Sequence, residues 1–160
     1  MKILLLDIET SPNLAYVWSL WGDQNIGLNQ LVRSGTVMCW SAKWIGSDKM
    51  FFASVQHGHP KKMLKKIHAL LTVADAVVTW NGIDFDVPIL NREFLRYNLD
   101  PPAPYAQIDL MRVAKKRFKF VSNKLEYVSK RLGCGEKMKN EGFELWTKCL
   151  SGNKKAWRDM

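Results

Sequence analysis

Two carboxylates separated by one residue, Asp7 and Glu9, stand at the end of the apolar run Leu4-Leu5-Leu6. The run reads as a buried β-strand, in which residues i and i+2 point to the same side. Asp7 and Glu9 therefore project together beyond the carboxyl end of that strand, the edge at which open α/β sheets bind ligands. Side-by-side carboxylates repel each other unless a proton or a cation lies between them, and hard divalent cations favour oxygen ligands. The plainer reading is a strand that runs out into the turn Ser11-Pro12-Asn13. The two readings part on whether later segments return acids to the same edge.

One segment does. Trp80-Asn81-Gly82-Ile83-Asp84-Phe85-Asp86-Val87-Pro88 follows a short apolar strand, residues 75–80, and opens a helix. Asp86 also suits an N-cap, a role worth about 1 kcal/mol and compatible with turning an oxygen outward. Composition does not separate Asp84 from Asp86. Spacing favours Asp86, because Phe85 reads as a packing anchor and Pro88 fixes the turn just after it. Asp109 is a third return, at the end of the next strand, where helix capping is its expected work.

The elements that must position these acids follow from pattern. Residues 14–20, 37–45 and 49–55 are rich in aromatic and β-branched side chains and read as strands, the last two joined through Gly46-Ser47-Asp48. Residues 21–34 are polar and show no period, so they read as a surface loop. His59-Pro60 opens a helix with Met63, Leu64, Ile67, Leu70 and Leu71 on one face and lysines on the other. Further helices are predicted over 86–97 and 109–118, with a brief strand at 107–108 between them. Ser122-Asn123 is expected to cap a fourth, with Leu125, Val128 and Leu132 on its apolar face and Gly133 at its end. Residues 144–160 read as helical pieces broken at Ser151-Gly152. The order is an antiparallel meander from the first strand, then strands added in parallel through right-handed crossovers. It predicts an α/β fold: a mixed, largely five-stranded sheet with helices on both faces and the first strand near its centre.

Bulk properties narrow the class. A chain of 160 residues suits one domain (1–160), and 47% hydrophobic with 24% charged residues excludes disorder. Its apolar runs fall short of the roughly 20 residues a membrane span needs, and Met1-Lys2 does not begin a signal peptide. We therefore expect a cytoplasmic protein without a membrane partner. Cys39, Cys134 and Cys149 are odd in number and form no CxxC, as expected of reduced structural thiols. The net charge of +9 is uneven: residues 110–160 carry 14 Lys and Arg against 5 Asp and Glu, a surplus equal to the whole net charge. Such a half beside an acidic cleft suits a polyanion that must reach metal-binding carboxylates, although solvated Lys-rich helices look the same.

Asp7-Ile8-Glu9-Thr10 resembles the first motif of the DEDD (DnaQ-like) 3′–5′ exonucleases, whose fold is ribonuclease H-like. Asn81-Gly82-Ile83-Asp84-Phe85-Asp86 is similar to their second motif, Asn-x-x-x-Phe-Asp. Ile108-Asp109-Leu110 with Ala114-Lys115-Lys116, then Ser122-Asn123-Lys124-Leu125 and Leu132-Gly133, resembles the helical stretch before the third motif of proofreading-type members. The likeness covers essentially the whole chain and is nearest to the ribonuclease H-like exonucleases of phages and bacteria. It implies a 3′–5′ exonuclease that hydrolyses nucleic-acid phosphodiesters, DNA favoured, with two divalent cations, Mg²⁺ or Mn²⁺. It also implies that Asp7 bridges or binds the ions, that Glu9 and Asp86 hold one each, and that Thr10, Asn81 and Phe85 seat the terminal nucleotide. The implied partner is a single-stranded 3′ end in a bacterium or a phage-infected cell.

One departure stands out. The family's third motif places Tyr or His four residues before an Asp, whereas Lys155 stands at that distance before Asp159. The expectation is a domain incomplete at its C-terminus or completed by a partner chain. Two other readings stand beside the exonuclease. One is a binding module of the same fold without catalysis. The other is a phosphatase with Asp7 as nucleophile, disfavoured because its proton donor two residues on would be Asp, where this chain has Glu9. Seven tryptophans invite a base-stacking role, but Trp18, Trp40 and Trp44 fall in strand patterns. His57-Gly58-His59 resembles a ligand cluster, yet a loop before a helix explains it.

Overall fold

The computed structural model describes residues 1–21, 25–135 and 142–160. Alternation along β1 (Ile3–Thr10) sets its two sides: Leu4, Leu6 and Ile8 are buried, while Leu5 and Asp7 are exposed and Glu9 is half-buried. In chain order there follow β2 (Leu14–Ala15), β3 (Leu31–Arg33), β4 (Val37–Trp44), β5 (Met50–Ser54), α1 (Pro60–Thr72), β6 (Ala76–Thr79) and α2 (Asp86–Arg96). Then come β7 (Ala106–Asp109), α3 (Leu110–Arg117), α4 (Leu125–Arg131), α5 (Phe143–Leu150) and α6 (Lys154–Asp159). The main sheet has five strands in the order β5-β4-β1-β6-β7. β4 is antiparallel to β1 and β5, whereas β1, β6 and β7 run parallel. The predicted mixed sheet with a central first strand is thus the observed one.

The apolar side of β1 packs on α1 and α2. Leu4, Leu6 and Ile8 share a cluster with Trp40, Met63, Leu64, Ile67, Leu71, Leu90 and Phe94. The other face carries a second cluster, in which Met38 and Cys39 meet Leu145, Cys149, Ala156 and Trp157 from α5 and α6. A β-bulge makes this division. Glu9 pairs with Cys39 and Thr10 with Val37, so Met38 is an extra residue in β4. A bulge shifts the phase of the side chains, and here Met38 and Cys39 both reach the second cluster while Val37 and Trp40 join the first.

Four expectations need correction. The stretch 14–20 is not a strand of the sheet: only β2 is extended, and it pairs with β3 in a separate two-stranded ribbon. β4 already occupies the place beside β1, so the aromatic residues after β2 have no sheet to pack on, and Trp18 is 102% exposed. The expected loop 21–34 holds the returning strand β3, with its residues 22–24 outside the described ones. Ser122 does not cap α4. Its hydroxyl accepts the Lys124 N–H within the preceding turn, and the N-cap is Lys124. Of the predicted apolar face of α4, only Val128 is buried, with Leu125 and Leu132 exposed. The break at 151–152 is as expected, and Asn153 caps α6 by accepting the Lys155 and Ala156 N–H groups. Among the described residues, no helix is long and apolar enough to cross a membrane.

Candidate active site

β6 pairs with β1 only as far as Val78 opposite Leu5. Beyond that point the Ile8 N–H donates instead to Asp86 Oδ1 at 3.0 Å. Asp86 is the first residue of α2, whose N-cap position falls to Phe85 without a side-chain cap bond, so the expected capping role is not the one Asp86 plays. Its carboxylate is turned onto β1, at the residue between Asp7 and Glu9. Asp86 is 2% exposed. Burial, then the neighbouring Asp7, push its carboxyl up to about 6, while the Ile8 N–H pulls the other way and Asp109 adds a smaller push.

The turn that delivers Asp86 is fixed by three features. Asn81 adopts a left-handed φ of 68°, a conformation that Asn tolerates better than most residues. Gly82 lies so close to Thr79 that an added Cβ would sit 2.2 Å from its Oγ1. Asp109, 4% exposed, gathers four backbone N–H groups: Oδ1 accepts from Asn81, Met111 and Arg112, and Oδ2 accepts from Ile83 at 3.4 Å. It therefore caps α3, as expected, and ties that helix to the Asn81 turn. Asp84 goes elsewhere, accepting from Arg112 Nη2 at 2.7 Å on the surface. The two acids that composition left equivalent have different surroundings.

Asp7 and Glu9 share the opposite face of β1 with the residues paired to them, Ser41 and Cys39. They line a cleft of about 470 Å³ together with His57, Trp157 and Arg158. Burial, then Glu9 and Asp7, push the Cys39 thiol up to about 12, so it stays protonated. His57 Nδ1 lies 3.0 Å from Ser54 Oγ, and His59 accepts the Lys61 N–H as the cap of α1, which accounts for the histidines without a ligand role. Sequence reasoning did not place Ser41, Cys39, Trp157 and Arg158 at the cleft, and it weighed His57 only as part of a ligand cluster. The first two were accessible through the register of the meander. Nothing local could have announced the C-terminal pair, because their approach to β4 is a tertiary contact.

Thr10 ends β1 at the bulge, and the Asn81 carbonyl accepts the Asp84 and Phe85 N–H groups inside the turn. Phe85 is 40% exposed. Thus Asp7, Glu9 and Asp86 converge on one segment of β1, with Thr10 beside them and Asn81 and Phe85 in the turn that holds Asp86. Among the described residues, no group of three or more His, Cys, Asp and Glu is arranged to hold a metal ion. The chemistry of the donor set nevertheless suits a hard cation: all three candidates are carboxylates. Burial is the larger cause of the raised proton affinity of Asp86, and the part that Asp7 adds is repulsion a cation would relieve.

A ribonuclease H-like α/β domain with acids at the carboxyl end of its first strand is what the fold and the site define. The chain belongs to the RNase_H superfamily, whose family model RNase_H_2 matches residues 33–157; Asp7 and Glu9 lie before the matched range. Among solved structures, the family B DNA polymerase of the hyperthermophilic archaeon Pyrobaculum calidifontis is similar, with a TM-score of 0.69 at 13% identity. That likeness covers 99% of this chain but 22% of the polymerase, and at this identity it bears on the fold alone. No curated protein matches the chain. Superfamily membership supports a nuclease-type function and is consistent with nucleic-acid binding.

Proposed function

We propose that the chain is a metal-dependent 3′–5′ exonuclease acting on single-stranded 3′ ends, DNA in preference to RNA. The observation that carries this reading is the hydrogen bond from the Ile8 N–H to Asp86, which seats a buried acid on the residue between Asp7 and Glu9. Asp7, Glu9 and Asp86 would hold the two divalent cations, Mg²⁺ or Mn²⁺. Such ions, when bound, supply an activated water and neutralise charge on the leaving 3′ oxygen. The protein's own groups prepare the site. The Ile8 N–H favours the ionised form of Asp86 against its burial, and the Asp109 cap holds the Asn81 turn so that Asp86 faces β1. Thr10, Asn81 and Phe85 would seat the terminal nucleotide, the half-exposed ring of Phe85 offering a face to its base.

The test is a 5′-labelled single strand incubated with the chain and Mg²⁺ or Mn²⁺. Stepwise shortening from the 3′ end, lost on chelation and abolished in Asp7→Ala, is expected. Intact 3′ ends with the unaltered chain, or wild-type shortening by Asp7→Ala, would sink the reading. A second reading, a binding module of the same fold without catalysis, draws on the lack of a ready-made metal group among the described residues. Salt-sensitive binding of the strand with no shortening in Mn²⁺ would favour it.

A further inference from the structure

The acid-free segment with the most Lys and Arg begins at the candidate site and returns to it. Residues 112–124 contain Arg112, Lys115, Lys116, Arg117, Lys119 and Lys124, and no acid. All six cations are exposed. Arg112 is committed to Asp84. Among the described residues, no carboxylate lies within ion-pair distance of the other five.

Both ends of the segment are pinned to the carboxyl edge of the sheet. At one end Asp109 caps α3 and also holds the Asn81 turn. At the other, the Trp80 indole N–H donates to the Asn123 carbonyl at 3.2 Å, beside Asn81. Between them α3 carries the chain about 12 Å along its axis at 1.5 Å per residue, to a loop where Lys119 takes a left-handed φ of 47°. That loop presents two aromatic rings with centroids 5.6 Å apart, and Phe118 is 60% exposed. Exposed cations without acids attract a polyanion. An exposed ring among them can stack on a base only where that base is unpaired.

We propose that residues 112–124 form a track for an unpaired nucleic-acid strand, with Lys115, Lys116, Arg117, Lys119 and Lys124 on its phosphates and Phe118 against a base. The proposal rests on the nuclease reading and names how that substrate reaches Asp7, Glu9 and Asp86. The exposed Lys62, Lys65 and Lys66 of α1 have the same charge, but among the described residues no hydrogen bond ties α1 to the Asn81 turn.

The experiment measures binding of a fluorescent oligothymidylate, and of the matching RNA and a DNA duplex, by anisotropy in EDTA across a salt series. Lys115→Ala/Lys116→Ala/Lys119→Ala is expected to weaken single-strand binding at least tenfold and to reduce the salt slope by about 2 for three lost phosphate contacts. Phe118→Ala is expected to weaken it about tenfold while leaving the slope unchanged. Lys62→Ala/Lys65→Ala/Lys66→Ala is expected to have a much smaller effect, and the duplex to bind more weakly than the single strand. An unchanged affinity in the track variants, an equal loss from the α1 variant, or a preference for duplex overturns the proposal. Because no metal is present, these outcomes are separate from failure of the exonuclease reading, which appears as intact 3′ ends in Mn²⁺ despite binding.

Discussion

Asp86 is the residue at which stability and the proposed chemistry pull in opposite directions. Its carboxyl is raised to about 6, chiefly by burial and then by Asp7. Because the folded protein binds this proton more tightly than the unfolded chain, the stabilising contribution is complete below the unfolded value near 3.8 and is lost as pH rises through about 6. Two pKa units correspond to about 3 kcal/mol. In EDTA the melting temperature should therefore fall between about pH 4 and pH 7 by an amount that Asp86→Asn removes. At neutral pH that variant should be more stable than the unaltered chain, since an amide oxygen can still accept from Ile8. It should also be inactive, because holding a cation needs the ionised acid. Activity of the unaltered chain should decline as pH drops below about 6. A pH series of melting curves, with a matching series of 3′-end shortening, checks both. A variant that is less stable at neutral pH would show that the burial of Asp86 carries no cost.

Among the elements, the junction of α3 with the Asn81 turn has the most consequence. Asp109 serves two segments at once, and both are within reach of the acids. Asp109→Ala removes a helix cap worth about 1 kcal/mol and leaves part-buried N–H groups of the Asn81 turn unpaired, at a cost toward the lower end of about 1–3 kcal/mol each. A loss of about 3 kcal/mol by urea unfolding is expected, together with lost activity, since Asp86 is delivered by the same turn. Asp109→Asn keeps one acceptor oxygen and should recover most of the stability. The other junction is Trp157 in α6, which is buried against Met38 and Cys39 and donates its indole N–H to the Cys149 carbonyl at 2.9 Å. Trp157→Ala should cost about 3–5 kcal/mol. It should also let a thiol reagent reach Cys39, read as faster labelling of the folded protein.

At the scale of the whole molecule, the sheet divides the work between its faces. One face is closed by α1 and α2 and carries most of the core. The other is covered over β4 by α5 and α6, and there Asp7 and Glu9 open into the cleft. Positive charge follows the same plan, being concentrated after residue 110 and reaching the carboxyl edge along α3. Any nucleic-acid binding should therefore weaken steeply with salt, a dependence carried by the segment 112–124 rather than by net charge.

Much of this was legible in the chain. The apolar run ending in Asp7 and Glu9, the amphipathic period of α1 and the strand–turn–helix around Asn81 are local patterns, and each specifies its element whatever surrounds it. The mixed five-stranded sheet followed from their order. The resemblance carried by the Asp7–Glu9 and Asn81–Asp86 motifs added the family. What local pattern could not supply was whatever depends on a partner distant in sequence. The aromatic residues after β2 look strand-like, yet β4 takes the place beside β1 and leaves Trp18 in solvent. The bulge at Met38 turns two successive residues to one cluster, which no period of two predicts. Composition does not separate Asp84 from Asp86, and spacing only favours the second. Only the end of β6, which leaves the Ile8 N–H facing the start of α2, gives Asp86 a place beside Asp7 and Glu9.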